Sequence, residues 1–178
     1  MRYIYVEDYL EEKGIKLTNE EKAWLDKHQR YCWDLERYTL LYALCKECDT
    51  AIEIGAASGW GSQAMAKADT KVIGIDITTK LKTVHNIRAI RGKSRKVLPT
   101  LNPVDLVFID GGHDYKDVEF DLAWSVKNAK KYMVIHDYNL EKGVTNVVDD
   151  YLGKPDTVIM DIKKSHKPIT YGTLVYEQ

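Results

Sequence analysis

The stretch Thr50-Ala-Ile-Glu-Ile-Gly-Ala-Ala-Ser-Gly-Trp-Gly-Ser-Gln-Ala-Met-Ala-Lys-Ala68 decides the fold. Ala51, Ile52 and Ile54 form a short apolar run that reads as a buried strand. Small residues from Gly55 to Gly61 read as a loop. Ser62 to Ala68 reads as a helix, with Ala64, Met65 and Ala68 spaced for one face. Gly55, Gly59 and Gly61 let the backbone turn tightly and let a ligand approach it. The helix beyond offers unpaired N–H groups at its start. Strand, glycine loop and helix in this order open a doubly wound sheet that binds a nucleotide at its strand tips.

The glycine spacing narrows the ligand. A dinucleotide fingerprint has G-x-G-x-x-G directly after the strand. Here the pattern is Glu53-x-Gly55-x-x-x-Gly59. It resembles motif I of class I S-adenosylmethionine (SAM) methyltransferases. In that family the loop wraps the methionine half of SAM, whose ammonium group suits an acid better than a phosphate would. A second apolar strand, Lys71 to Ile75, ends at Asp76. An acid there can accept both ribose hydroxyls. The resemblance implies cofactor contacts from Glu53, Gly55, Ala56, Ser58 and Gly59 in the first loop. It also implies contacts from Asp76, Ile77, Lys93, Ser94 and Asp110 at the neighbouring strand ends.

Elsewhere strands and helices alternate. Val6 to Lys13 reads as a short helix stopped by Gly14, and Thr18-Asn-Glu-Glu21 as a capping box opening a longer one. Trp24, Leu25, His28, Tyr31 and Cys32 repeat at helical spacing, and Trp33, Leu40, Leu41, Leu44 and Cys48 continue the pattern. This aromatic-rich layer covers the sheet and is a candidate lid over an acceptor. Lys80 to His85 is expected to be helical, and Ile87 to Ile90 a strand. Val104 to Asp110 is a buried strand broken by Gly111 and Gly112. Asp114 is placed to cap a helix running to about Asn128, with Val118, Leu122 and Val126 on one face. Tyr132 to Ile135 is a further strand, and Gly143 to Leu152 the last helix. Thr157 to Ile162 and Thr170 to Tyr176 read as two closing strands joined by a Lys-rich hairpin. The expected fold is α/β: one Rossmann-like, doubly wound, seven-stranded sheet, mostly parallel with the last strand antiparallel. Residues 1–49 form a helical N-terminal cap and 50–178 the core, one domain throughout.

Composition excludes several classes. Lys and Arg total 26 against 27 Asp and Glu, a net charge of −1, so no global basic surface for nucleic acid is present. Acids interrupt the first apolar stretch, which argues against a signal peptide, and no apolar run is long enough to span a bilayer. A soluble, cytoplasmic protein is expected; the sequence leaves the oligomeric state open, a homodimer being one option. Cys45-Lys-Glu-Cys48 is a C-x-x-C at the end of a helical pattern, where a redox pair would prefer a helix start; buried thiols are the expectation. The segment Lys80, Lys82, Arg88, Arg91, Lys93, Arg95 and Lys96 contains no acid and can steer an anionic acceptor or present a solvated face.

Chemistry gathers at the later strand ends. Asp110, His113, His136 and Asp137 suit a divalent metal or an acid–base pair. Val104-Asp-Leu-Val-Phe-Ile-Asp-Gly-Gly-His-Asp-Tyr115 resembles a block of the bacterial methyltransferase 24 family. Val134-Ile-His-Asp-Tyr138 with Gly143-Val144, and Arg91-Gly-Lys-Ser-Arg-Lys-Val-Leu-Pro99, resemble two more of its blocks. Related sugar and catechol-type O-methyltransferases use a divalent cation such as Mg²⁺. The resemblance implies Asp110 and Asp137 as metal ligands, with His136 beside them, and His113 as the catalytic base acting with Asp110. Where metal enzymes often carry an adjacent acid or amide, this chain has His136 and Tyr138, and Lys93 replaces the acid of the G-D-S block. The implied reaction is methyl transfer from SAM to a hydroxyl of a small molecule or sugar. Two alternatives stand beside it: a nucleic-acid methyltransferase using the basic segment, and a SAM-binding protein without catalysis. Asp110-Gly-Gly-His113 lacks the Pro-Pro-aromatic pattern that many base N-methyltransferases place there.

Overall fold

The computed structural model describes residues 1–28, 35–78, 80–160 and 172–178. Tyr31, Cys32 and Trp33 of the aromatic layer, and the Lys-rich hairpin, lie outside them. Among the described residues eight strands form one sheet. They are β1 (Arg2–Tyr5), β2 (Thr50–Ile54), β3 (Lys71–Asp76), β4 (Ile87–Arg91), β5 (Val104–Ile109), β6 (Ala129–Tyr138), β7 (Thr157–Met160) and β8 (Gly172–Glu177). Their order across the sheet is β1-β7-β8-β6-β5-β2-β3-β4. All pairings are parallel except those of β8, which runs antiparallel between β6 and β7. The last strand is antiparallel as expected, and the sheet gains an eighth strand. That strand is Arg2-Tyr-Ile-Tyr5, whose β-branched and aromatic residues pair with β7 from Arg2↔Thr157 to Tyr5↔Met160. The N-terminal cap is therefore only partly helical.

The helices are α1 (Val6–Glu12), α2 (Asn19–His28), α3 (Leu35–Cys45), α4 (Trp60–Lys67), α5 (Ser94–Val97), α6 (Tyr115–Asn128) and α7 (Lys142–Tyr151). The capping box closes reciprocally. Glu21 N–H donates to Thr18 Oγ1 at 3.1 Å, and Thr18 N–H donates to Glu21 Oε2 at 2.6 Å. Lys80 to His85 is not helical. Val84 and Ile87 exchange backbone hydrogen bonds in a tight turn, and Thr83 Oγ1 accepts from Ala89 N–H. Six residues with β-branched Thr83 and Val84 nucleate a helix poorly, and these alternative bonds win.

Strand periodicity sorts the side chains into two cores. One face buries Ala51, Leu106, Phe108 and Val134 under α1 to α4, with Leu40, Leu41 and Leu44 of α3 at its centre. The other buries Ile52, Ile54, Val107, Ile109 and Ile135 under α6 and α7 through Val118, Leu122, Val147 and Val148. All six residues of β5 are buried, as a central parallel strand covered on both sides requires. The same alternation carries Glu53, Asp110 and His136 to the first face, in line with Phe108. Asp105 ties the strand starts together. Its carboxylate accepts from Asp49 N–H, Thr50 N–H and the Thr50 hydroxyl at 2.9 to 3.2 Å. Burial pushes this acid up, but those three bonds outweigh it and hold it below the ordinary carboxylate value. Cys45 and Cys48 are free, buried thiols at the end of α3.

Candidate active site

A cleft of about 1030 Å³ opens at the carboxyl ends of the parallel strands. Gly55, Ala57, Asp76, Ile77, Thr78, Lys93, Ser94 and Asp110 line it, with Gly111, Gly112 and Asp121. The glycine loop is held by geometry that side chains resist. Gly55 has φ +90, and a Cβ there would lie 1.9 Å from the Asp110 carbonyl oxygen. Gly59 has φ +80 and sits at the start of α4. Both left-handed positions favour glycine on steric grounds.

The sequence candidates fall into distinct places. Asp76 Oδ2 accepts from Ala57 N–H at 3.0 Å, and Oδ1 from Thr78 N–H at 2.6 Å. It knits two loops together at the cleft wall. Glu53 is 3% exposed and lies beneath the loop, away from the cleft. Its Oε2 accepts from Ser62 N–H at 2.7 Å and from the Ser62 hydroxyl. Burial lifts its carboxyl to about 8; the nearby Asp110 charge adds to this and the Ser62 bonds oppose it. Ala56 is buried, Ser58 is exposed, and neither they nor Gly59 line the cleft. Ile77, Lys93 and Ser94 do line it, with Lys93 exposed at its rim.

The charged cluster adjoins the cleft at Asp110. His113 Nε2 lies 3.1 Å from Asp137 Oδ2, and His113 Nδ1 lies 3.6 Å from Glu141 Oε1. His136 Nδ1 lies 2.9 Å from Asp137 Oδ1 and 3.2 Å from Asp110 Oδ1, so the imidazole sits between the carboxylates on the buried side. Burial pushes Asp137 up, but the hydrogen bond and charge of His136, with His113 and Arg37, prevail and hold it low. Asp137 itself has φ +59, a strained position for a residue with a side chain. A Cβ on Gly143 would lie 1.9 Å from the His113 carbonyl oxygen, so a bare glycine lets α7 approach the His113 loop.

The metal reading can be tested on these donors. One ligand atom each from Asp110, His113 and Asp137 lie within 4.8 Å of one another. The set brought together thus contains His113, while His136 stands behind it bridging the acids. Two carboxylates and an imidazole fit a divalent ion, and the nitrogen suits Mn²⁺, Fe²⁺ or Zn²⁺ better than Mg²⁺.

Two residues at this site were not read from the sequence. Arg37 of α3 donates from Nη1 to Asp110 Oδ2 at 2.6 Å and stacks over Phe108 at 5.7 Å. The helical layer therefore reaches the candidate centre through a cation. Asp121 of α6 is 1% exposed at the cleft. The spacing of Asp121 with Val118 and Leu122 marks it as a carboxylate on an apolar helix face, the one signal available for it. Nothing in the chain near Arg37 announces its partner, 73 residues away.

The order of strands, the glycine loop and the acids at successive strand tips give the chain the Rossmann-like fold of class I SAM-dependent methyltransferases. Residues 52–138 match the model of the methyltransferase 24 family, described as a methyltransferase domain. Among solved structures, the chain resembles the O-methyltransferase TomG from Streptomyces achromogenes, involved in tomaymycin synthesis and solved with SAM. The two are 17% identical over 85% of each chain, with a TM-score of 0.55. An O-methyltransferase from Bacillus cereus, solved with SAH, is 13% identical over 84% of this chain and 86% of that one, with a TM-score of 0.52. These likenesses show the shared fold. No curated protein matches the sequence. Among the described residues no helix is long and apolar enough to cross a membrane.

Proposed function

We propose that this protein transfers a methyl group from SAM to a hydroxyl oxygen of a small molecule. The observation that carries the reading is the Asp110, His113 and Asp137 cluster beside a glycine-loop cleft of cofactor size. The O-methyltransferase neighbours, two of them solved with SAM or SAH, support it. Gly55, Asp76 and Ser94 would hold SAM, the source of the methyl group, and Asp110, Asp137 and His113 or His136 would hold a divalent ion, which would supply a Lewis acid for the acceptor hydroxyl.

The protein's own residues handle the proton and the alignment. With Nε2–H donated to Asp137, His113 keeps Nδ1, 3.6 Å from Glu141 Oε1, as the basic nitrogen for an acceptor hydroxyl. Asp137 fixes that tautomer and stabilises the imidazolium that forms. The layer of α3 limits water at the centre and brings Arg37 to Asp110. His113 serves as base or as ligand through the same ring, so a chelator separates the two roles.

The test is calorimetric binding of SAH, followed by transfer of labelled methyl to a panel of phenols, catechols and sugars. Asp110→Ala is expected to bind SAH within a few-fold of the wild type, while transfer falls by about 100-fold or more. Undiminished transfer by that variant would reject the assignment. The rival reading, a binding protein without catalysis, predicts SAH binding with no transfer to any hydroxylated acceptor.

A further inference from the structure

We infer that the free border of the sheet at β4 docks single-stranded RNA, holding its phosphates with Lys80, Lys82, Arg88 and Lys96. The surface lies outside the Asp110 centre, and the inference does not rest on the SAM reading. From Ile77 to Val104 the chain carries seven Lys and Arg and no Asp or Glu. The other 19 of the 26 cations share the chain with all 27 acids, so the remainder has a net charge of −8. Positive charge is thus gathered into one segment, and the fold sets that segment on one border, because β4 ends the strand order. All seven cations are exposed. Arg91 Nε donates to the Ile77 carbonyl oxygen at 3.0 Å, and Arg95 meets Asp117 at 3.5 Å. Lys93 lines the cofactor cleft. Lys80, Lys82, Arg88 and Lys96 form no ion pair among the described residues. A polyanion approaching this otherwise acidic protein is steered to them.

Edge strands often carry lysines to keep another strand from pairing with them. Here that duty is already met by backbone. Val84 and Ile87 exchange backbone hydrogen bonds, and Ala89 N–H donates to Thr83 Oγ1 at 3.1 Å. The turn thereby covers the strand and carries Lys82, next to Thr83, alongside it. A membrane is the other large anionic surface, but stable attachment there takes an apolar anchor beside the charges. From Ile77 to Val104 there is no Phe, Trp or Tyr, and α5 has four residues. The exposed large apolar side chains are Ile77, which lines the cleft, and Val84 at the turn. A phosphate backbone needs the charges alone. Duplex DNA is read by a helix or ribbon laid in its groove, which this border does not present. Five residues of β4 make a ridge about 16 Å long, a shape that one flexible strand can follow. Without aromatic platforms the contacts reduce to phosphates and carry no sequence preference.

The experiment titrates the full chain into labelled, unstructured RNA of about 20 nucleotides and follows fluorescence anisotropy. Four phosphate contacts on a single strand predict a Kd that rises about 50-fold between about 50 and 200 mM KCl, from a value near about 1 μM. Two RNAs of scrambled sequence are expected to bind alike. The triple variant Lys82→Gln, Arg88→Gln and Lys96→Gln is expected to bind about tenfold or more weakly at the lower salt. Its slope of log Kd against log salt should fall by about 2. Lys127→Gln, Lys130→Gln and Lys154→Gln together remove the same charge from exposed positions elsewhere and should leave binding near wild type. Lys82→Gln with Lys96→Gln replaces the triple variant should that one fail to fold. The inference is overturned if RNA does not bind at the lower salt. It is overturned equally if a folded border variant keeps full affinity, or if the control variant loses as much. Cosedimentation with phosphatidylglycerol vesicles in the absence of RNA binding gives the border to a membrane and also overturns it. SAH binding, read in the same preparations, tests the SAM reading separately.

Discussion

The tips of β2 and β3 hold their acids differently from the tips of β5 and β6. At the first pair, Glu53 and Asp76 receive hydrogen bonds from backbone N–H groups and from Ser62 and Thr78. Those acids are spent on the shape of a loop. At the second pair, Asp110 and Asp137 face charged or titratable side chains: Arg37, His113 and His136. One region is a rigid mould and the other a set of exchangeable partners. The difference teaches where binding and chemistry separate. A mould made of backbone can hold an invariant cofactor, whereas side-chain partners can be displaced by an acceptor or an ion.

That contrast can be broken in four places. The largest effect is expected at the mould. Gly55→Ala combines a left-handed φ with a Cβ 1.9 Å from the Asp110 carbonyl oxygen. It should cost about 4 kcal/mol or more of stability and abolish SAH binding, read by urea unfolding and calorimetry.

Next comes Glu53, whose folded carboxyl is lifted to about 8. Between the ordinary carboxylate value and 8 the folded state holds a proton that the unfolded state has lost. Stability from this group is fully present below the unfolded value and is lost as pH rises through 8. The loss should be on the order of 3 kcal/mol from pH 5 to pH 8. Glu53→Gln should flatten that slope in denaturant titrations taken across the range.

Gly143→Ala probes the other region. A Cβ there meets the His113 carbonyl oxygen, so the His113 loop must move away from α7. Methyl transfer should fall by about 100-fold while SAH affinity changes little, read from kcat beside calorimetric Kd.

The smallest effect belongs to Arg37→Met. The pair with Asp110 is about one-fifth exposed on each side, so its loss should cost about 1–2 kcal/mol after screening. The same change removes a competing cation, so Mn²⁺ affinity should rise in titrations of the variant. Unchanged or weaker Mn²⁺ binding would argue that Asp110 is not a metal ligand.

Local signals carried the cofactor region. Ala51 to Ile54, the glycines and Asp76 lie within one strand–loop–helix–strand unit, and their geometry follows from neighbours in the chain. The centre at Asp110 was legible only in part. Asp110, His113, His136 and Asp137 follow from strands that could be bounded by their apolar runs. Arg37 arrives from a helix whose direction depends on packing of the whole layer, so its partner had no local signature. Glu53, expected among the cofactor contacts, is carried by strand alternation to the α3 face, where Ser62 bonds its carboxylate, a placement that follows from long-range packing. Arg2 to Tyr5 was passed over because four residues make a strand only when an edge such as β7 receives them. Lys80 to His85 shows the reverse error, a short polar segment whose side chains bond more profitably in a turn.

The place of β1 has a consequence for biosynthesis. Arg2 to Tyr5 is made well before Thr157 to Met160, with which it pairs, and β8 must then slot between β7 and β6. During translation the open flank of β6 has no neighbour until β8 has emerged. A nascent chain therefore carries an unzipped border on β6 from the completion of that strand until β8 arrives, and chaperone capture of stalled intermediates should concentrate on Ala129 to Tyr138.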